Sequence, residues 1–196
     1  MRIVIHRVNT VAQLQGIPTE YGAEIDIRAD GSRLILNHEP VPKGELLLDF
    51  LAAYRHGLLV LNIKEAGIED EVLRMVRARG VPEHFLLDVE FPYIHRAARR
   101  GERAFALRYS EEESIETVLH YVGRADWVWI DTFTRLPLDP ATVTALKPFR
   151  TCIVCPERWG RPHDIHAYRR EMARLRFEVD AVMTALSCVR LWMDLL

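Results

Sequence analysis

Cysteine is scarce: three residues in a chain of 196, an odd count that cannot pair fully within the chain. A disulfide-stapled secreted scaffold is therefore set aside, and a reducing compartment is expected. Long apolar runs are missing too. None approaches the roughly 18 residues of a membrane helix, and the start Met1-Arg2-Ile3-Val4-Ile5-His6 lacks the apolar stretch of a secretory signal. The expectation is a cytoplasmic protein with no integral membrane association. An excess of one charge is also absent. The net charge is −2 and the basic residues are dispersed along the chain, which leaves no electrostatic footprint for nucleic acid. Nothing repeats at the residue level and no stretch reads as an interdomain linker, so length alone predicts a single domain over 1–196.

What is present is a regular alternation. Arg2 to Arg7 is a short apolar run ending in His6-Arg7, and Asn9 to Glu20 reads as a loop or short helix. Tyr21 to Arg28 reads as the second strand. Arg28-Ala-Asp-Gly-Ser-Arg33 holds an Asp-Gly turn, which folds the run Arg33 to His38 back as a β-hairpin. Glu45 to His56 carries Leu47, Leu48, Leu51 and Tyr54 at helical spacing before Gly57. Leu58 to Lys64 is the third strand, and Ile68 to Arg79 is a helix whose acidic first turn and basic last turn suit its dipole. His84 to Glu90 follows as strand four, with Leu86, Asp88 and Glu90 on one face, and Pro92 opens a helix to about Arg100.

The second half continues the rhythm. Ala104 to Arg108 is strand five, and Ser110-Glu-Glu-Glu113 reads as a capping box for a helix reaching Val122. Trp127 to Asp131 is strand six, Asp139-Pro140 starts a helix to Lys147, and Thr151 to Cys155 is strand seven. A helix from His163 to Phe177, a strand from Val179 to Met183 and a final helix from Ala185 to the end complete the chain. Eight strands alternating with helices argue for a parallel α/β architecture. Cys152 and Cys155 fall inside an apolar strand, where alternation puts their sulfurs on opposite faces, so both are expected to pack as core. Trp127, Trp129 and Trp159 are expected to pack in the core or at its lip, and His163 and His166 to lie on a helix surface.

Chemistry gathers at the strand ends. In Tyr21-Gly-Ala-Glu24-Ile-Asp26-Ile-Arg28, alternation turns Glu24, Asp26 and Arg28 to one side. Two neighbouring carboxylates repel unless a cation or proton sits between them, and a hard divalent ion is a common answer. His6-Arg7, Asn37-His38 and Asn62-Ile63-Lys64 also end apolar runs, and parallel α/β folds collect their chemistry at strand C-termini.

In this order and spacing, His6-Arg7, Glu24-x-Asp26, Asn37-His38 and Asn62-Ile63-Lys64 resemble the glycerophosphodiester phosphodiesterases and their phosphatidylinositol-phospholipase-C-like relatives. The resemblance implies a compact (β/α)8 TIM barrel with a β-hairpin after strand 2. It also implies metal-dependent hydrolysis of a phosphodiester, a glycerophosphodiester-like small molecule, through a cyclic phosphate that water then opens. On that reading His6, His38 and Lys64 are catalytic, and Glu24 and Asp26 bind Mg²⁺ or Ca²⁺. Asn62 stands where the family has a third carboxylate, and Asp88 or Glu90 could restore the missing charge. The glycine that follows the first His-Arg in the family is Val8 here, and the segment between His38 and Lys64 is too short for an inserted substrate subdomain. Arg7 is expected to bind the phosphate, with Glu90, Arg108 and Asp131 as rim residues for substrate. Two alternatives stay open: a degenerate barrel that binds a phosphorylated ligand, and a metal-dependent isomerase or lyase. Oligomeric state is not legible in the chain.

Overall fold

The computed structural model describes residues 1–193. The chain folds as two compact units, Val4–Arg96 and a second made of Met1–Ile3 with Ala97 onward. In both, helices alternate with parallel strands, which is the α/β class expected from the sequence.

The first unit begins within β1 (Arg2–Ile5), continues through α1 (Val11–Gln15), β2 (Gly22–Asp30), β3 (Arg33–Leu36), β4 (Glu45–Leu46), α2 (Leu47–Ala53), β5 (Leu59–Ile63), α3 (Glu69–Ala78) and β6 (His84–Leu87), and ends within α4 (Phe91–Arg99). The nine-residue β2 is the element on which the others register. It pairs in parallel with β1 at Gly22 and Ala23, in parallel with β5 from Ala23 to Ile27, and antiparallel with β3 from Ile27 to Asp30. A side chain at position 22 could not be accommodated, because a Cβ there would lie 2.1 Å from the Leu58 carbonyl oxygen. The hairpin forms as expected, with Gly31 at φ 62° in its turn.

Several boundaries differ from the sequence reading. Glu45 and Leu46 are not the start of a helix but an edge strand paired with β3, Leu46 opposite Ile35. The helix proper runs only from Leu47 to Ala53, and Tyr54 is extended at ψ 122°. Leu48, expected on the apolar stripe, is 44% exposed, while Leu47, Phe50 and Leu51 are buried. Strand β6 stops at Leu87, and Asp88 takes a left-handed conformation at φ 56°, so strand alternation does not govern Asp88 and Glu90.

In the second unit β7 (Ala106–Tyr109), α5 (Ile115–Leu119), β8 (Trp127–Ile130), α6 (Pro140–Leu146), β9 (Arg150–Val154), α7 (Asp164–Leu175), β10 (Ala181–Thr184) and α8 (Val189–Met193) follow in turn. The four strands are all parallel, in the order β7-β8-β9-β10. Asp139 caps α6 by accepting from Thr142 N, and the Thr142 hydroxyl accepts from Asp139 N in return. The cap expected at Ser110 sits elsewhere: Ser114 is the N-cap of α5, and the Ser110 hydroxyl closes a turn by accepting from Glu112 N and Glu113 N. The final helix begins at Val189 after a 3-10 turn at Leu186–Cys188, and its expected continuation beyond residue 193 lies outside the described residues.

Cys152 and Cys155 are buried free thiols, as the core reading expects. The Cys155 thiol faces the Met183 carbonyl at 2.8 Å, and burial pushes its pKa up. Trp127 and Trp129 are buried, whereas Trp159 is 41% exposed and packs against Phe133. His163 and His166 are exposed on the helix surface. Among the described residues no helix is long and apolar enough to cross a membrane.

Candidate active site

Every strand end that carries the expected chemistry in the first unit returns to β2. Glu24 and Asp26 lie on its central stretch, and both are fully buried. Asp26 is directly opposite Asn62 on β5. His6 and Arg7 follow β1, His38 follows β3, and Lys64 follows β5. Once each chain leaves the ladder its backbone groups need new partners. Arg28 supplies them: its guanidinium donates to the carbonyl of His38 at 3.0 Å and to that of Lys64 at 3.4 Å. This one side chain therefore holds the ends of β3 and β5 beside each other.

Glu24 is held from three directions. Its Oε2 accepts from Arg7 N at 2.8 Å, its Oε1 accepts from the Asn62 amide at 2.8 Å, and His6 Nε2 lies 3.8 Å from Oε2. The Arg7 backbone N–H can point at Glu24 because Arg7 is left-handed at φ 56°, a conformation that costs a non-glycine residue about 1–2 kcal/mol. Among the described residues three non-glycine positions take positive φ, and two of them, Arg7 and Asp88, follow strands of this site. Strain of this kind concentrates where geometry matters for function.

Asp26 has different partners. Asn9 clamps it twice, donating from Nδ2 to Oδ2 and accepting from Asp26 N, both at 2.8 Å. Lys64 Nζ stands 3.2 Å from Asp26 Oδ1 and 3.7 Å from Asp88 Oδ2. The Lys64 contact neutralises charge but lacks hydrogen-bond alignment, so Asp26 Oδ1 remains an orphaned buried acceptor. Asn62 Oδ1 is orphaned as well, its amide nitrogen being spent on Glu24.

Burial, with Asp26 adding to it, pushes the Glu24 carboxyl up to about 7, while the Arg7 N–H, the Asn62 amide and Lys64 pull it back. The pair therefore holds a proton or recruits a cation near neutral pH. Two orphaned oxygens on paired residues, next to a second buried carboxylate, are the donors that a hard cation takes. Glu24, Asp26 and Asn62 thus fit a divalent ion, although with one charge fewer than three carboxylates would give. Among the described residues no cluster of three His, Cys, Asp or Glu side chains does so without Asn62.

His38 is fixed from both sides. Its Nε2 lies 2.7 Å from Arg7 Nη2 and its Nδ1 lies 2.8 Å from Glu39 Oε1. A guanidinium only donates, so Nε2 presents its lone pair and the ring proton sits on Nδ1, facing Glu39. Hydrogen bonding to His38 in turn lowers the Glu39 carboxyl.

The structure brings His6, Arg7, Glu24, Asp26, His38, Asn62, Lys64 and Asp88 into this network. Glu90 is exposed, and beside Lys64, Glu65, Glu69 and Asp88 it lines a small cavity of about 100 Å³. Glu65, two residues past the end of β5, is exposed, and its carboxylate accepts from Ala29 N. Asn9, Arg28 as a clamp, and Glu39 were not legible as site residues. Asn9 lies in a polar loop with no periodic signal, and the partners of Arg28 are backbone atoms that no side-chain motif reveals.

Arg108 and Asp131 lie in the second unit and meet each other. Arg108 Nη2 donates to Asp131 Oδ2 at 2.9 Å and Nε donates to Glu113 Oε1 at 2.6 Å. The other Asp131 oxygen accepts from Thr132 N at 2.8 Å and from Trp159 Nε1 at 3.3 Å.

No protein-family model matches the sequence, and no curated protein matches it either. Solved structures do match in fold. A provisionally named glycerophosphoryl diester phosphodiesterase of Agrobacterium tumefaciens superposes at a TM-score of 0.68 and 10% identity, over 98% of this chain and 97% of its own. A glycerophosphodiester phosphodiesterase of the same organism gives 0.62 at 16% identity, over 93% and 95%. A glycerophosphoryl diester phosphodiesterase of Parabacteroides distasonis gives 0.65 at 12%, over 96% and 84%. At such identities the likeness is one of fold.

Proposed function

We propose that this protein is a phosphoric diester hydrolase acting on a glycerophosphodiester-like small molecule by two-histidine acid–base catalysis. The observation that carries the reading is the buried Glu24–Asp26 pair, with two orphaned acceptors and His6, Lys64 and the Arg7–His38 contact around it. The full-length likeness in fold to three phosphodiesterases supports it. The reading includes a closed (β/α)8 barrel, supported by the parallel strand–helix alternation in both units. It also includes the cytoplasm, with which the three free thiols agree.

Phosphodiester cleavage needs charge neutralisation at the non-bridging oxygens, a base for the attacking hydroxyl and an acid for the leaving oxygen. Arg7 and Lys64 supply positive charge to the phosphate. His38 presents a lone pair at Nε2 once Arg7 turns from it to the phosphate, and Glu39 holds the ring proton on the far nitrogen. His6, beside Glu24, is the second proton carrier, and the two histidines exchange acid and base roles as a cyclic phosphate forms and is opened by water. Glu24, Asp26 and Asn62, with Asp88 close to Lys64, would hold Mg²⁺ or Ca²⁺, which supplies Lewis-acid neutralisation of the phosphate when bound. Arg108 and Asp131 stay candidates for the alcohol portions of the substrate, though their mutual pairing makes a structural role the stronger of the two.

Glycerophosphocholine hydrolysis, with Mg²⁺ or Ca²⁺ and after chelation, tests the reading. His6→Ala and His38→Ala should each lower the rate about 10²–10⁴-fold with near-UV circular dichroism unchanged. Full activity in both variants refutes the mechanism, and calorimetric metal binding unchanged in Asp26→Asn removes the ion from this site. Binding of glycerophosphate without turnover would favour the degenerate barrel.

A further inference from the structure

The β3–β4 hairpin leaves a groove against α2 and α3 of about 340 Å³, within the range of small-molecule pockets. It is lined by Leu34, Leu46, Leu48, Met75 and Ala78, and none of its lining residues takes part in the site around Glu24. The groove arises from the boundary that the sequence misplaced. Because Glu45–Leu46 is an edge strand, the helix starts late and Leu48 remains 44% exposed. An exposed leucine alone needs no explanation, but one that joins Leu34, Leu46 and Met75 in a concave apolar lining does.

Three arginines, Arg33, Arg74 and Arg79, line the same groove, in a chain whose net charge is −2. Two of them are engaged only in exposed pairs three residues apart, Arg33 with Asp30 and Arg74 with Glu71. Such pairs contribute about 0–1 kcal/mol, so a ligand can compete for either guanidinium at small cost. Arg79 makes no side-chain ion pair or hydrogen bond among the described residues. Against them the lining sets one carboxylate, Glu71, with Asp30 beside it at Arg33. An apolar floor rimmed by guanidinium groups fits a single alkyl chain ending in a planar anion, because an arginine fork meets a carboxylate in two parallel hydrogen bonds.

We propose that this groove binds a fatty carboxylate, with its chain along Leu34, Leu46, Leu48 and Met75 and its head group at Arg79. The site is independent of the phosphodiesterase reading and stands or falls without it.

Titration calorimetry with decanoate below its micelle concentration tests the site, with decyltrimethylammonium and acetate as probes lacking the right head and the chain respectively. Saturable one-to-one binding of decanoate is expected, at least tenfold tighter than either control. Arg79→Gln and Leu48→Ser should each weaken it about tenfold or more while circular dichroism and the thermal midpoint stay at the parent level. Comparable binding of the cationic amphiphile, or decanoate affinity unchanged in both variants, overturns the proposal. So does the absence of saturable binding. Chemical-shift changes confined to residues 32–34, 46–48 and 71–79 in the parent protein would locate the ligand even if one variant failed to fold.

Discussion

The two units each place a buried aspartate just at or beyond a parallel strand, and they treat it in opposite ways. Asp131 in the second unit is 5% exposed and fully partnered: Arg108 takes one oxygen, and Thr132 N and Trp159 Nε1 share the other. In the first unit, Asp26 sits with a second buried carboxylate, keeps one oxygen without an aligned donor, and faces Asn62, whose carbonyl is also unmatched. A buried charge with all its hydrogen bonds made is a structural tie, and one left incomplete is a standing cost that a folded chain retains where something else completes it. The contrast is what makes the β2 cluster the candidate site.

The largest effect that could break the contrast is in the second unit. Asp131→Ala leaves the buried Thr132 N–H and the Trp159 indole N–H without their acceptor and Arg108 with Glu113 alone, so it should destabilise the protein by about 3 kcal/mol. Urea denaturation measures this. A loss well under 1 kcal/mol would mean that the Asp131 network is not the tie described, and would reopen a substrate role.

Next is the pH dependence from Glu24. Its carboxyl is held up to about 7 in the fold against 4.5 in an ordinary setting. The folded state therefore keeps a proton that the unfolded state gives up, and stability falls as pH rises from about 4.5, levelling once pH passes about 7. At about 1.4 kcal/mol per unit the slope is worth up to about 3 kcal/mol. Metal-free thermal melts between pH 5 and 8 should show the decline, and Glu24→Gln, which has nothing to ionise, should flatten it. A curve as steep in the variant would assign the slope to another group.

The smallest and sharpest effect concerns Asn62→Asp, which adds one charge at nearly constant volume. It should tighten Mg²⁺ binding by calorimetry about tenfold, roughly 1.4 kcal/mol, and lower metal-free stability by placing a third carboxylate beside Glu24 and Asp26. Asn62→Asp combined with Asp88→Asn separates the two sources of charge. Should metal affinity stay unchanged in all of them, Asn62 does not face the ion.

Much of this was legible in the chain because it is periodic. Alternation along Tyr21–Arg28 placed Glu24 and Asp26 together, the Asp-Gly turn gave the hairpin, and the apolar runs ending in His6, His38 and Lys64 gave the strand ends. The α/β class followed from the same alternation. Local competition was not legible: Ser110 and Ser114 are both plausible caps, and in the fold Ser110 closes a turn while Ser114 caps α5. Glu45–Leu46 has helical spacing but pairs as an edge strand, since β3 offers it a ladder that the sequence does not display.

The order of chemical groups along the chain, then, belongs to the sequence: which residue types end which strand, and that position 62 carries an amide and not a carboxylate. The tertiary structure alone decided which of these groups share protons. The clamp of Asn9 on Asp26, the contact of Arg7 with His38, the amide of Asn62 on the raised Glu24 carboxyl and the Arg28 tie between His38 and Lys64 join residues 10 to 38 positions apart. Side-chain periodicity is a property of one element, whereas hydrogen-bond partners and burial are set by several elements meeting, so no reading of one strand at a time contains them.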